Sequence, residues 1–246
     1  MELAAFRSVR VPPVISPTGA HAVVAAIAEA SADASVQGIV LEGDRDEFCR
    51  GMDISALDHR DEPQRSGPHS TIRAFADALR VLTEIQKPTV AIVRGPALGG
   101  GLGIAAACDV VVATPSATFA LPEGLFGLAP AVIAPVLLAR ITPAQFRRLA
   151  LTAESIAANT AQAIGLVDEI VEHESVTGRL RRILASLARV HPRTKGVLLE
   201  AARCARASTL AASIDWGVEE TSRASQSADA VERMARFLEG GAPWQP

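Results

Sequence analysis

Residues 1–15 read as one strand in which Phe6-Arg7-Ser8-Val9-Arg10-Val11 alternate, stopped by Pro12-Pro13. Ser16-Pro17-Thr18 is a helix start signal with Pro17 placed for a first turn, and residues 20–32 follow as a helix. Ile39-Val40-Leu41 predicts a short buried strand. Residues 58–70 are polar, contain Pro63, Gly67 and Pro68, and predict a mobile loop. Ile72, Phe75, Ala76, Leu79 and Leu82 have helical spacing; Lys87-Pro88 ends that helix and Thr89-Val90-Ala91-Ile92-Val93 starts a strand. A short buried helix over 103–108, a buried strand over 110–113 and another over 117–120 come next. Strand and helix alternate to about residue 170, which predicts parallel pairing through crossover helices, an α/β fold. After His173 the pattern changes: 176–189, 195–207, 209–226 and 228–239 read as helices almost free of strands. The expected organisation is a core over 1–172 and a helical C-terminal region over 173–246, suited to packing or oligomer formation.

Composition narrows the function classes. The chain has 246 residues, 49% of them apolar, enough to bury a sizeable core. Aromatics make up 4%, Tyr is absent and the net charge is −3 with no dense basic cluster, which argues against nucleic-acid binding by stacking or by phosphate tracking. Cys49, Cys108 and Cys204 lie far apart, without metal spacing, and read as reduced thiols in a cytoplasmic compartment. The N-terminus lacks a basic stretch followed by a long apolar run, so no signal peptide is expected. The longest apolar run, near 102–113, is interrupted by Gly103 and Asp109 and is too short to span a bilayer.

The candidate chemistry centres on Gly95-Pro96-Ala97-Leu98-Gly99-Gly100-Gly101-Leu102-Gly103, between a strand and a helix. Adjacent glycines cost backbone entropy, and close approach of a ligand to bare backbone is one reason to hold them; tight helix–strand packing is the other. The run lacks the Lys-Ser/Thr of a phosphate-binding loop and the spacing of a dinucleotide fingerprint. A second glycine turn, Glu47-Phe48-Cys49-Arg50-Gly51-Met52-Asp53, also follows a strand. Two such turns can each donate one N–H to the same oxygen, an oxyanion hole suited to a thioester enolate. Glu123, in Leu121-Pro122-Glu123-Gly124-Leu125-Phe126, is the sole carboxylate between Asp109 and Glu154. It is read either as a desolvated proton-transfer group, its pKa raised by Leu121, Leu125 and Phe126, or as a surface or helix-capping glutamate. Asp109 is read as a structural hydrogen-bonding carboxylate and Asp53 as a cap for a helix starting near Ile54. Arg50 either faces solvent or reaches an anionic substrate group. The histidines His21, His59, His69, His173 and His191 share no pattern, so neither a Ser-His-Asp arrangement nor a metal site is proposed. Cys49 and Cys108 read as small buried apolar residues.

From Gly38 to Glu172 the chain resembles the crotonase (enoyl-CoA hydratase/isomerase) superfamily, on residues 48–53, 88–109 and 119–130 and on Ala163-Ile164-Gly165-Leu166-Val167-Asp168. The resemblance implies a spiral of ββα turns and a C-terminal helical region that forms trimers or hexamers. It implies an oxyanion hole from the N–H groups of Met52 and Gly100, with Glu123 as the catalytic acid–base group. It also implies a substrate carried as a CoA or acyl-carrier-protein phosphopantetheine thioester, with no further cofactor. Two departures stand out. The first of the two glutamates of the superfamily's hydratases falls at Gly103, and the usual second strand, with its turn that helps bind the CoA end, is missing around Pro12 to Pro17. Residues 119–130, the tail Phe237-Leu238-Glu239-Gly240-Gly241-Ala242-Pro243-Trp244 and the form Gly100-Gly101-Leu102-Gly103 are similar to dehydratases of polyketide β-branching cassettes. That similarity implies removal of water from a carrier-bound 3-hydroxy-3-methylglutaryl group, with Arg50 pairing the distal carboxylate and Leu125 and Phe126 contributing to binding. The alternatives are a single-glutamate isomerase or decarboxylase and a non-catalytic subunit supporting a partner enzyme.

Overall fold

A computed structural model describes residues 5–53, 68–126 and 128–207, together with Ala228, Glu232 and Glu239. The expected helix over 209–226, all but those three residues of the expected helix over 228–239, most of the loop over 58–70, the helix start near Ile54 and all of the tail motif but Glu239 lie outside the described residues.

The chain runs β1 (Phe6–Arg10), α1 (Pro17–Ala32), β2 (Gly38–Glu42), α2 (Pro68–Glu84), β3 (Thr89–Val93), β4 (Pro96–Leu98), α3 (Gly100–Ala107), β5 (Val110–Ala113) and β6 (Thr118–Ala120). It continues through α4 (Ala134–Leu137), α5 (Pro143–Thr152), β7 (Ile156–Ala157), α6 (Ala158–Ala163), β8 (Glu169–Ile170), α7 (Val176–Leu187) and α8 (Thr194–Ala207). Five strands form one sheet in the order β1-β2-β3-β5-β8. Every neighbouring pair in it is parallel. The expected α/β fold is therefore present, and its strands read as the continuous apolar runs that a sheet covered on both faces requires: all of β3 is buried. A smaller sheet joins β4 to β6 in parallel and β6 to β7 antiparallel.

Local chemistry sets the helix starts. Ser16 Oγ accepts from Gly19 N at 3.0 Å, and Pro17 occupies the first turn of α1, as its sequence predicts. Pro68 opens α2 in the same way, so residues 68–70, expected in a loop, belong to the helix. α1 and α2 pack together. Val23 and Ile27 on one and Phe75, Leu79 and Leu82 on the other are buried; each such side chain contributes roughly 1.5–3 kcal/mol by leaving water. β4, β7 and β8 are too short to show a periodicity of their own.

Two polar devices hold the C-terminal end of α3. Asp109 Oδ2 accepts from Thr89 N at 2.7 Å and Thr89 Oγ1 at 2.9 Å, fixing the start of β5 against β3; this is the structural role its sequence position suggests. Arg140, 12% exposed, donates to the carbonyls of Ala106 (3.0 Å) and Cys108 (2.6 Å) and pairs with Asp168 at 3.1 Å. A cation at a helix C-terminus satisfies orphan carbonyls and complements the helix dipole.

Two compact units are distinguished, Met1–Leu184 and Ala185–Pro246. Both sheets lie in the first. No helix among the described residues is long and apolar enough to cross a membrane.

The paired acceptor geometry of Asp109 predicts that Asp109→Ala lowers the unfolding free energy by about 2 kcal/mol, the worth of hydrogen bonds to a charged group. Asp109→Asn, which keeps one acceptor, costs less. Urea denaturation of the two variants measures both.

Candidate active site

Three chain segments converge because β4 is bonded on both sides. Cys49 N donates to Pro96 O at 3.0 Å and Leu98 N donates to Cys49 O at 2.9 Å, which lays residues 49–52 beside 97–100. On the other side β6 pairs with β4, and Gly99 N donates to Ala120 O at 2.9 Å. The chain leaving β6 therefore delivers Glu123, in a 3₁₀ turn over Pro122–Phe126, next to the start of α3.

The direction of two amides follows from their peptide planes. Gly51 O accepts from Ile15 N at 2.8 Å. In a trans peptide the following N–H points the opposite way, so the Met52 N–H faces away from Ile15. Gly99 O accepts from Gly103 N at 3.0 Å along α3, so the Gly100 N–H points out of the helix start. Neither N–H finds a backbone acceptor among the described residues. The turns are close: a Cβ at Gly51 would lie 3.3 Å from Gly100 N. Gly51 (φ 96°) and Gly99 (φ 50°) both sit in the left-handed region, where a side chain is strained. The glycine run thus serves both readings given to it. It presents backbone, and it packs tightly, since a Cβ at Gly101 would fall 2.2 Å from Cys49 O.

Met52, Gly100 and Glu123 line one cavity of about 430 Å³. Arg50, Ile72, Phe75, Leu98, Val132 and Ile133 are also on its wall. Glu123 lies against the glycine turn, so that a Cβ at Gly99 would stand 2.8 Å from its Oε1. Its Oε2 is buried without a hydrogen-bond partner. Burial raises the Glu123 pKa above the ordinary 4.5, and a hydrogen bond from its own backbone N–H offsets this only in part. The site is thus a carboxylate whose charged form is made costly by burial, beside two amides without a backbone acceptor among the described residues, in a hydrocarbon-walled cleft.

The other candidates fall out as follows. Arg50 reaches the cavity but is 61% exposed, and its Nε lies 2.5 Å from Glu47 Oε1, so its charge is already partnered. Phe126, 56% exposed, lines the cavity. Leu125 is 73% exposed and is not on the wall, because the 3₁₀ turn carries its side chain outward. Leu121 is fully buried in the core and is not on the wall either. The hydrocarbon around Glu123 therefore comes from Phe75, Leu98, Leu128, Val132 and Ile133, together with Phe126. Phe75 belongs to a helical stripe whose spacing marks only a core face, and Ile133 to a stretch with no motif, so sequence alone did not single them out. Burial pushes the Cys49 thiol up to about 11, in keeping with an inert core residue. Among the described residues no group of three or more His, Cys, Asp or Glu is placed to hold a metal ion.

Comparison with known proteins agrees with this architecture. The model of the enoyl-CoA hydratase/isomerase family matches residues 13–245. Enoyl-CoA hydratase ACTT6 of Alternaria alternata is 32% identical over 158 residues, covering 64% of this chain and 51% of its own length, so the chain spans about half of that relative. 4-Chlorobenzoyl coenzyme A dehalogenase-1 of an Arthrobacter species is 30% identical over 217 residues, 83% of this chain and 75% of that protein. The solved structure of Pseudomonas aeruginosa AtuE superposes with a TM-score of 0.87 at 28% identity, covering 99% of this chain and 97% of the other.

The raised Glu123 pKa has a definite sign in stability. The folded state holds this proton to higher pH than the unfolded chain does. The group's contribution is therefore full below the ordinary carboxylate range and is lost as pH rises through the raised value. Glu123→Gln, uncharged at every pH, is expected to melt above the wild type at pH 8, and the gap is expected to narrow as the pH falls towards 4.5. Calorimetry across that range measures it.

Proposed function

The chain belongs to the enoyl-CoA hydratase/isomerase family, and from that premise we propose that it is a lyase removing water from a 3-hydroxyacyl thioester through an enolate. The observation that carries this reading is the seat of Glu123, half-buried with its carboxylate against Gly99 and its Oε2 buried, beside the Met52 and Gly100 amides that have no backbone acceptor among the described residues. Family membership alone does not choose the reaction, since the relatives named above include a hydratase and a dehalogenase.

In this reading the thioester oxygen accepts from the Met52 and Gly100 N–H groups. Glu123 takes the proton from the carbon next to the carbonyl, and the electron pair moves onto the held oxygen. Each such donor is worth roughly 3 kcal/mol once charge develops there. The pair then returns and forms the carbon–carbon double bond, and the carbon–oxygen bond to the hydroxyl breaks. The hydroxyl takes the proton back from Glu123 and leaves as water. One carboxyl serves both transfers when proton and hydroxyl lie on its face. The raised pKa suits a group that must both accept and return a proton. The reading requires no metal and no further cofactor.

The substrate proposed is a 3-hydroxy-3-methylglutaryl group on an acyl carrier protein, giving the 3-methylglutaconyl thioester. Its support is the similarity of residues 119–130 to the β-branching dehydratases, with Arg50 at the cavity as the cation nearest a distal carboxylate. Binding there requires Arg50 to exchange Glu47 for the substrate. A second reading, isomerisation of an enoyl thioester, is favoured by Glu123 being the one carboxylate among the described lining residues, since a proton shift needs no second acid.

Incubation with 3-hydroxyacyl and enoyl thioesters on CoA and on carrier protein, followed by mass spectrometry, separates these readings: dehydration loses one water and isomerisation keeps the mass. Glu123→Gln is expected to lower turnover about a hundredfold or more while leaving substrate binding largely intact. Turnover at the wild-type rate would falsify the assignment of Glu123.

Gly100→Pro removes one donor at the first position of α3, where helices tolerate proline, although its Cβ would stand 3.1 Å from Phe75 Cζ and 3.3 Å from Ile15 Cδ1, so these side chains must shift slightly. It is expected to lower kcat about a hundredfold or more with the fold retained by circular dichroism, whereas side-chain changes at Met52 have little effect.

A further inference from the structure

We infer that Ile133 is a specificity-determining residue: packed on Gly103, it seals one wall of the cavity with hydrocarbon and restricts the site to reactions that Glu123 completes alone. The inference rests on the reading that Glu123 is the acid–base group.

The contact is unusually close. A Cβ at Gly103 would lie 2.3 Å from Ile133 Cγ2, 2.9 Å from Ile133 Cβ and 3.7 Å from Phe75 Cζ. Both neighbours are on the cavity wall, and they are 2% and 1% exposed. A side chain at 103 would therefore point into the wall that borders the Gly100 amide, one helical turn along α3. Rotation about the Ile133 side chain moves Cγ2 but not Cβ. Ile133 is also tied at its backbone, where its carbonyl accepts from Leu137 N at 3.1 Å as α4 begins. Position 103 is therefore closed to any side chain while Ile133 is present.

Gly103 stands inside a helix, where glycine is disfavoured against alanine. α3 gives up local helix stability at the point where Ile133 meets it. What is gained is a wall without polar atoms. Among the described lining residues Arg50 and Glu123 are the ionisable ones, and neither is on α3 or beside Ile133 in sequence. With Ile133 in place, neither a second carboxylate nor a held water can stand over Gly103.

The test is a double-mutant cycle read first by thermal unfolding, which needs no substrate. Gly103→Ala is expected to lower the melting temperature in the wild-type background, where its Cβ meets Ile133. In the Ile133→Gly background the same change is expected to raise it, because only the helix preference remains. The same sign in both backgrounds overturns the inference whatever the reaction proves to be. The second arm follows hydration of an enoyl thioester by loss of its conjugated absorbance. Gly103→Glu combined with Ile133→Gly is expected to hydrate at least tenfold faster than the wild type and than either single variant. Gly103→Glu alone matching the double variant, or the double variant hydrating no faster than the wild type, also overturns it. Failure of the wild type to dehydrate any 3-hydroxyacyl thioester, with the sign reversal intact, counts against the proposed reaction and leaves the packing of Ile133 on Gly103 standing.

Discussion

The hydrogen bonds that hold β4 on both sides are the constraint on which the site depends. One edge of this short strand grips Cys49 and the other grips Ala120. Three segments distant in sequence, 49–53, 96–103 and 118–123, are thereby held in one register. The ladder bonds are ordinary, each worth about 1 kcal/mol net. Their leverage is geometric. A slip of one residue along β4 would turn the Gly100 amide away from the Met52 amide and move Glu123 off Gly99.

Around that register the electrostatics are arranged asymmetrically along α3. Its N-terminus, where the Gly100 amide has no backbone acceptor among the described residues, faces the cavity. Its C-terminal carbonyls are occupied by Arg140, which is itself neutralised by Asp168. A negative charge developing at the amide end meets the positive end of the helix, and the opposite end does not compete for solvent. Glu123 stands at that same end, against Gly99, where desolvation makes its charged form costly.

Much of this was legible in the sequence, for reasons that can be named. The strands β2, β3 and β5 are apolar runs bounded by Gly, Pro or Asp, α1 begins at a proline signal and α2 shows helical spacing from Ile72, so the α/β alternation was readable from pattern; the proline start of α2 was not, because Pro68 reads equally as a loop residue. Glu123 was conspicuous because it stands alone among apolar residues. The walls of the cavity were not legible. Phe75 reads as core because a cavity face and a core face have the same helical spacing. Ile133 reads as nothing because its partner, Gly103, lies thirty positions away and has no side chain to pair with. Leu125 was misleading, since adjacency to Glu123 in sequence does not survive a 3₁₀ turn. Pairings between distant segments, such as Leu98 with Ala120, are set by tertiary packing and leave no local periodicity.

The two donors at the cleft are peptide groups, and a peptide group is identical whichever side chain its residue carries. Codon changes at Met52 leave its amide where it was, provided Gly51 still turns and Ile15 still pairs. In the proposed reaction, the half of the site that would hold the oxygen is therefore buffered against mutational drift, while the half that would move protons rests on one side chain and can be lost in a single step. In lineages that share this scaffold, the capacity to hold a polarised carbonyl should outlast any one reaction performed on it, and new chemistry should arise by exchanging the residues that face the donors.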